Sequence, residues 1–128
     1  MDIEQIQSLE LFAGLNADEL ALCAEPLMEL NIVSGSSLAK QDDFAYKFFI
    51  VLEGEVDVHR DFKFVARMGP GEFFGERALI RGEKRNARVT ARTHCRLACM
   101  MAWEFTALTD KLPVVAERIN AVIDEREA

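Results

Sequence analysis

Between residues 48 and 101 the chain is written in short apolar runs separated by glycine turns, a punctuation that a helical bundle does not have. Phe48-Phe49-Ile50-Val51-Leu52 reads as a buried strand, and Glu53-Gly54 turns the chain. Glu55-Val56-Asp57-Val58-His59 then alternates strictly, which points Val56 and Val58 inward and the acids outward. Phe62, Phe64 and Ala66 continue the series, and Gly69-Pro70-Gly71 makes another turn. Arg88-Val89-Thr90-Ala91-Arg92 alternates again, and Arg96 to Met101 supplies a further strand. Many short strands with Gly-rich turns predict a β sandwich or barrel over about residues 30–101.

The two ends follow a different rule. Asn16-Ala17-Asp18-Glu19 is a helix start, with a capping side chain and then acids where the helix dipole favours them. Leu20, Leu22, Cys23 and Leu27 follow as an apolar stripe that Pro26 disturbs, and a short helix over Ile3 to Leu11 precedes it. These place helices over about residues 3–29. At the other end Pro113 suits a first helical position, and Val115, Ile119, Val122 and Ile123 share one face, with Arg126 just beyond. Helices are therefore predicted over about 102–126, with Trp103 anchoring the first of them against the barrel. The expectation is one domain, 1–128, mainly β with flanking helices.

Bulk properties narrow the function classes. With half of its residues hydrophobic and 29% charged, the chain reads as globular. No apolar run approaches the roughly 20 residues of a membrane span. The acidic start, Met1-Asp2-Ile3-Glu4, lacks the layout of a secretion signal. Cys23, Cys95 and Cys99 are scattered and odd in number, which predicts reduced thiols in a cytoplasmic protein and no metal site. A net charge of -7 argues against general nucleic-acid binding.

Against that acidity, residues 77 to 96 hold seven of the fifteen basic residues: Arg77, Arg81, Lys84, Arg85, Arg88, Arg92 and Arg96. A small cationic island beside Gly75-Glu76 suits a compact anion that also carries a hydroxyl. Gly71 and Gly75 let the backbone turn sharply, and Gly75 to Ile80 can form one helical turn whose free N–H groups face a phosphate. A carboxylate at Glu76 makes sense as an acceptor for a sugar hydroxyl. Arg85, beyond a loop hinged by Gly82, can offer its fork to two phosphate oxygens. The set suits one phosphate joined to a ribose. Arg88 and Arg92 alternate with Val89 and Ala91 and are read as the outer face of a strand.

Residues 73 to 91, Phe73-Phe74-Gly75-Glu76 with Ala78-Leu79 and then Arg85-Asn86-Ala87, resemble the phosphate-binding cassette of the cyclic nucleotide-binding domain family. That family includes kinase regulatory subunits, cyclic-nucleotide-gated channels and the bacterial catabolite-activator type. The likeness extends to Leu11-Phe12-Ala13-Gly14-Leu15, to Phe49 through Val56, to Gly69-Pro70-Gly71 and to the Pro113 helix. It implies a β jelly-roll barrel with helices at both ends, and a sensor that binds without catalysing. By that resemblance Glu76 takes the ribose 2′-hydroxyl and Arg85 the cyclic phosphate, which the backbone of Gly75, Ala78, Leu79 and Ala87 lines. Val58, Ala66 and Phe74 offer apolar contacts to ribose or base, and Arg126 falls where the family often brings a lid residue over the base.

Three positions depart from the family pattern. Asn86 stands where Ser, Thr or Ala is usual, though its amide can still donate to a phosphate oxygen. Arg77 replaces an apolar residue, and Arg88 stands where Ser or Thr is common. The ligand implied is cAMP, with cGMP open because of Asn86, and no other cofactor or metal is expected. The implied partner is an effector protein or a fused effector domain, with no nucleic acid and no membrane segment. The rival reading keeps the fold and treats Arg77, Asn86 and Arg88 as marks of a degenerate pocket in a protein-interaction module.

Overall fold

Strand β3 (Lys47–Glu53) is apolar at consecutive positions because both of its faces are covered. The computed structural model, which describes residues 1–127, gives the chain in order as α1 (Ile3–Ile6), a 3-10 turn (Glu10–Phe12), α2 (Ala17–Ala24), β1 (Met28–Ile32), β2 (Ser37–Ala39) and β3. It continues with β4 (Val56–Arg60), β5 (Lys63–Met68), β6 (Phe73–Phe74), α3 (Glu76–Arg81), β7 (Arg88–Ala91), β8 (Cys95–Met101), α4 (Ala102–Lys111) and α5 (Pro113–Glu127). Phe49 and Val51 face the second sheet, whereas Phe48 and Ile50 face the helices. β8 splits the same way, with Leu97 and Cys99 toward the sheet and Ala98 and Met100 toward the helices.

The strands form two antiparallel four-stranded sheets, in the orders β1-β8-β3-β6 and β2-β7-β4-β5. Their facing sides make a jelly roll, open between the two sheets rather than a ring of continuously bonded strands. One core lies between the sheets. The other lies between the outer side of the first sheet and α1, the 3-10 turn, α2, α4 and α5. β6 joins them: Phe74 stacks on Phe49 at 4.9 Å inside the roll, and Phe73 packs on Phe48 at 5.6 Å under the helices.

The structure departs from the sequence expectations at several points. The expected helix over 3–11 is two pieces, because Leu9 is extended and separates α1 from the 3-10 turn. Asn16 does cap α2, accepting from the Glu19 N–H at 2.9 Å while Glu19 reaches back to the Asn16 N–H. The helical region ends at Ala24 ahead of Pro26, so the first strand begins at Met28. Phe62 does not continue the inward series; it sits in the β4–β5 turn and is 97% exposed, with Phe64 exposed beside it. Trp103 does not anchor α4 and is 68% exposed, the anchor being Phe105, whose ring lies 4.8 Å from that of Phe48. Val115, Ile119 and Ile123 of α5 are buried as expected. Among the described residues no helix is long and apolar enough to cross a membrane, and the three cysteines are buried and unpaired.

Candidate ligand-binding site

α3 is six residues long and is framed by two glycines in the left-handed region, Gly75 at φ 93° and Gly82 at φ 64°. The Gly82 N–H closes the helix on the Ala78 carbonyl. At the other end the first N–H groups of α3 have no intrahelical acceptor. Gly75 is required for a second reason. A Cβ there falls 2.6 Å from Arg85 Nη1 and 2.9 Å from the Lys47 carbonyl oxygen, closer than real side chains come.

Arg85 fills the space that Gly75 leaves. Its Nη1 donates to the Gly75 carbonyl at 2.9 Å and its Nη2 to the Lys47 carbonyl at 2.5 Å. The backbone around it is pinned from the β2–β3 loop, where the Asp42 N–H donates to the Arg85 carbonyl and the Arg85 N–H to the Asp43 carbonyl. Arg60 of β4 donates through Nε to the Asn86 carbonyl at 3.1 Å. The guanidinium is therefore hydrogen-bonded to carbonyls rather than to a carboxylate, beside the mouth of α3. Burial pushes the Arg85 pKa down, and the field of Glu76 opposes that shift.

Glu76 is the second buried charge, at 2% exposure. Burial raises its pKa; Arg126, then its own backbone N–H, and least of all Arg85, act to lower it. Arg126 reaches it from the last turn of α5, with Nη1 donating to Glu76 Oε1 at 2.5 Å. The other arm, Nη2, donates to the Phe73 carbonyl at 2.5 Å, and the guanidinium carbon lies 5.4 Å from the centre of the Phe73 ring. Glu76 Oε2 is buried and has no hydrogen-bond partner among the described residues. Such an orphaned acceptor is costly in a folded protein and points to a donor from outside the chain.

These groups open on one cavity of about 430 Å³, within the range of small-molecule sites. Its wall brings together Val58, Ala66, Phe74, Gly75, Glu76, Ala78, Arg85, Asn86, Ala87 and Arg126, all of which the sequence had singled out. Leu79 is the exception. It does not line the cavity; Ala78 takes that side of α3, and the Leu79 side chain packs into the helical core. Arg126 is not stacked over the cavity as a lid, because Glu76 and Phe73 draw its guanidinium down to the wall. Arg88 and the strand-end Arg92 are exposed, as their alternation implied. Sequence reasoning missed Met68, Val89 and Ile123, which add apolar wall from β5, β7 and α5. Their only signal was membership of a strand or an apolar stripe, which does not say which cavity they meet.

Comparison with known proteins agrees with this geometry. Residues 29–111 match the model of the cyclic nucleotide-binding domain. A cyclic nucleotide-gated potassium channel of Rhizobium etli is 31% identical over 121 residues, taking in 94% of this chain and 34% of the channel. The chain thus spans about a third of the length of the channels it matches. Among solved structures, the catabolite activator protein of Thermus thermophilus superposes with a TM-score of 0.82 at 28% identity, over 91% of this chain and 57% of that one. The regulatory domain of Toxoplasma gondii PKA, crystallised with cAMP, superposes with a TM-score of 0.86 at 26% identity, over 96% of this chain and 48% of that one. With the family model matched across the strands, α3 and the Arg85 loop, the chain belongs to the cyclic nucleotide-binding domain family.

Proposed function

We propose that this chain is a cAMP-sensing regulatory module. The observation that carries the reading is the sharing of one cavity by Arg85, the open end of α3 and the unsatisfied Oε2 of Glu76. A cyclic phosphate meets Arg85 and the first N–H groups of α3 with charge-assisted bonds. The ribose hydroxyl turns toward Glu76, and the base lies along Val58, Ala66 and Phe74. The Toxoplasma relative crystallised with cAMP supports that nucleotide. The Asn86 amide adds a neutral donor at the cavity wall that can serve the phosphate.

Occupancy is relayed through α5. This helix contributes Ile123 and Arg126 to the cavity and is tied to the N-terminal elements where Arg118 donates to the Leu11 carbonyl at 2.9 Å. A ligand shifts the position of α5 only by its difference in affinity for the two placements. In this reading the module binds and releases its nucleotide unchanged, as a regulatory ligand-binding domain does. Its effector is a fused domain or a partner protein in the cytoplasm, a compartment that the unpaired cysteines suit.

Titration calorimetry with cAMP and cGMP tests the reading. Saturable heat with cAMP, tighter than with cGMP, supports it. Absence of heat with both at high micromolar ligand transfers the chain to the non-binding, protein-interaction reading.

A further inference from the structure

We propose that the end of the β4–β5 hairpin is a lipid-docking tip that sets the domain against an anionic membrane surface. The turn joining the two strands has both central residues in the left-handed region, Asp61 at φ 52° and Phe62 at φ 67°. A two-residue turn of this kind ordinarily carries Asn-Gly or Asp-Gly. Here it carries Asp-Phe, which puts a bulky aromatic where glycine is unstrained. The Phe62 ring gains no packing from the fold, being 97% exposed. The turn itself is fixed: Gln41 Nε2 donates to Asp61 Oδ1 at 2.8 Å, and the Asp61 N–H donates to Gln41 Oε1 at 2.9 Å. A pinned turn therefore holds an aromatic ring in solvent against its own backbone preference, which points to a partner outside the chain.

Two further apolar side chains leave the same end in other directions. Phe64, 56% exposed, lies on the outer face of the sheet with its ring 5.8 Å from that of His59. Val65, 49% exposed, lies on the side of the ligand cavity. A flat protein surface covers one of these directions, whereas a fluid apolar layer receives all three. β5 is also an edge strand, but the bulge at Val65 breaks its ladder between Val58 and His59, which disfavours the addition of a partner's strand. Cations surround the tip. Lys63 stands opposite Arg60, and Arg88 of β7 stands opposite His59. Lys63 and Arg88 are exposed and make no ion pair among the described residues, and Arg60 bonds through Nε to the Asn86 carbonyl. In a chain of net charge -7, this basic and aromatic end is complementary to a surface that is anionic outside and apolar beneath. Exposed Asp42 and Asp43 on the adjoining loop oppose that attraction and keep the contact weak and reversible.

The test sediments the full chain with phosphatidylcholine vesicles made with and without phosphatidylserine, at low and at physiological salt. Binding is expected only with phosphatidylserine and should fall as salt rises. Phe62→Gly is expected to weaken it about tenfold, the loss of one buried aromatic side chain, while melting no lower than wild type because glycine suits the turn. Lys63→Ala and Arg88→Ala should each weaken it about fivefold, and Arg92→Ala, beyond the other end of β7, should change it less than about twofold. No sedimentation with the anionic vesicles overturns the proposal. Wild-type binding by Phe62→Gly also overturns it, as does an Arg92→Ala loss equal to that of Lys63→Ala, because overall charge then accounts for the contact. Self-association without lipid that Phe62→Gly abolishes assigns the tip to a second copy of the chain, and a lower melting temperature in Phe62→Gly assigns the ring to the fold. Either result overturns the lipid reading.

Discussion

Arg85 and Gly75 are built around each other: Arg85 Nη1 donates to the Gly75 carbonyl at 2.9 Å and lies 2.6 Å from where a Gly75 side chain would begin. The glycine thus serves both a backbone at φ 93° and the seat of the guanidinium. Gly75→Ala is expected to cost about 1–3 kcal/mol of stability from the left-handed conformation alone. It should also push Arg85 out of place and abolish high-affinity nucleotide binding. Chemical denaturation and calorimetry on the same protein check both effects; a stable, tight-binding Ala variant contradicts the mutual seating.

Arg85 has a structural load as well as a charge. Replacing it by Leu removes the donors of the Gly75 and Lys47 carbonyls, an expected loss of about 1–3 kcal/mol, and removes the cation that the proposed reading gives to a phosphate. Arg85→Lys keeps the charge but cannot span both carbonyls with a planar fork. It should therefore lie between wild type and Leu in cAMP affinity while losing nearly as much stability as Leu. The comparison of urea midpoints with binding constants separates the fork from the charge.

The sequence made the roll, its helical ends and most of the cavity wall legible, because alternation, glycine turns and the cassette spacing are local signals. Asn16 caps α2 as expected, while Glu19, expected only as an acid favoured by the helix dipole, also reaches back to the Asn16 N–H. What stayed hidden depended on choices between faces. Trp103 and Phe105 are both large, aromatic and at the start of one helix, yet only Phe105 meets Phe48. Leu79 sits beside Ala78 in the motif, yet a helical step of one residue turns it away from the cavity. The Arg126–Glu76 bond joins residues fifty positions apart and has no local signature at all.

Glu76 has a pH consequence with two opposite signs. Its pKa is raised on folding, chiefly by burial, so the folded state holds the proton more tightly than the unfolded chain. Stability from this group is therefore lost as pH rises from the ordinary carboxylate range through the raised folded value. Under the proposed reading ligand binding runs the other way, since a ribose hydroxyl at Glu76 needs the anion as its acceptor. Affinity for cAMP should fall as pH is lowered through that raised value, beginning above the ordinary carboxylate range. Glu76→Gln should flatten both curves. Calorimetric titrations and thermal melts across the acidic limb give the two slopes.

The two aromatic residues at the start of α4 provide the last prediction. Phe105 is 2% exposed against Phe48 in the core under the helices, so Phe105→Ala should cost about 3–5 kcal/mol, the lost burial plus the cavity left behind. Trp103, at 68% exposure, has little to lose, and Trp103→Ala should stay within about 0.5 kcal/mol of wild type. Equilibrium denaturation of the two variants decides. A large loss for Trp103→Ala would place the tryptophan in the α4 anchor after all. Equal small losses would mean that α4 is not held by its aromatic contact with β3.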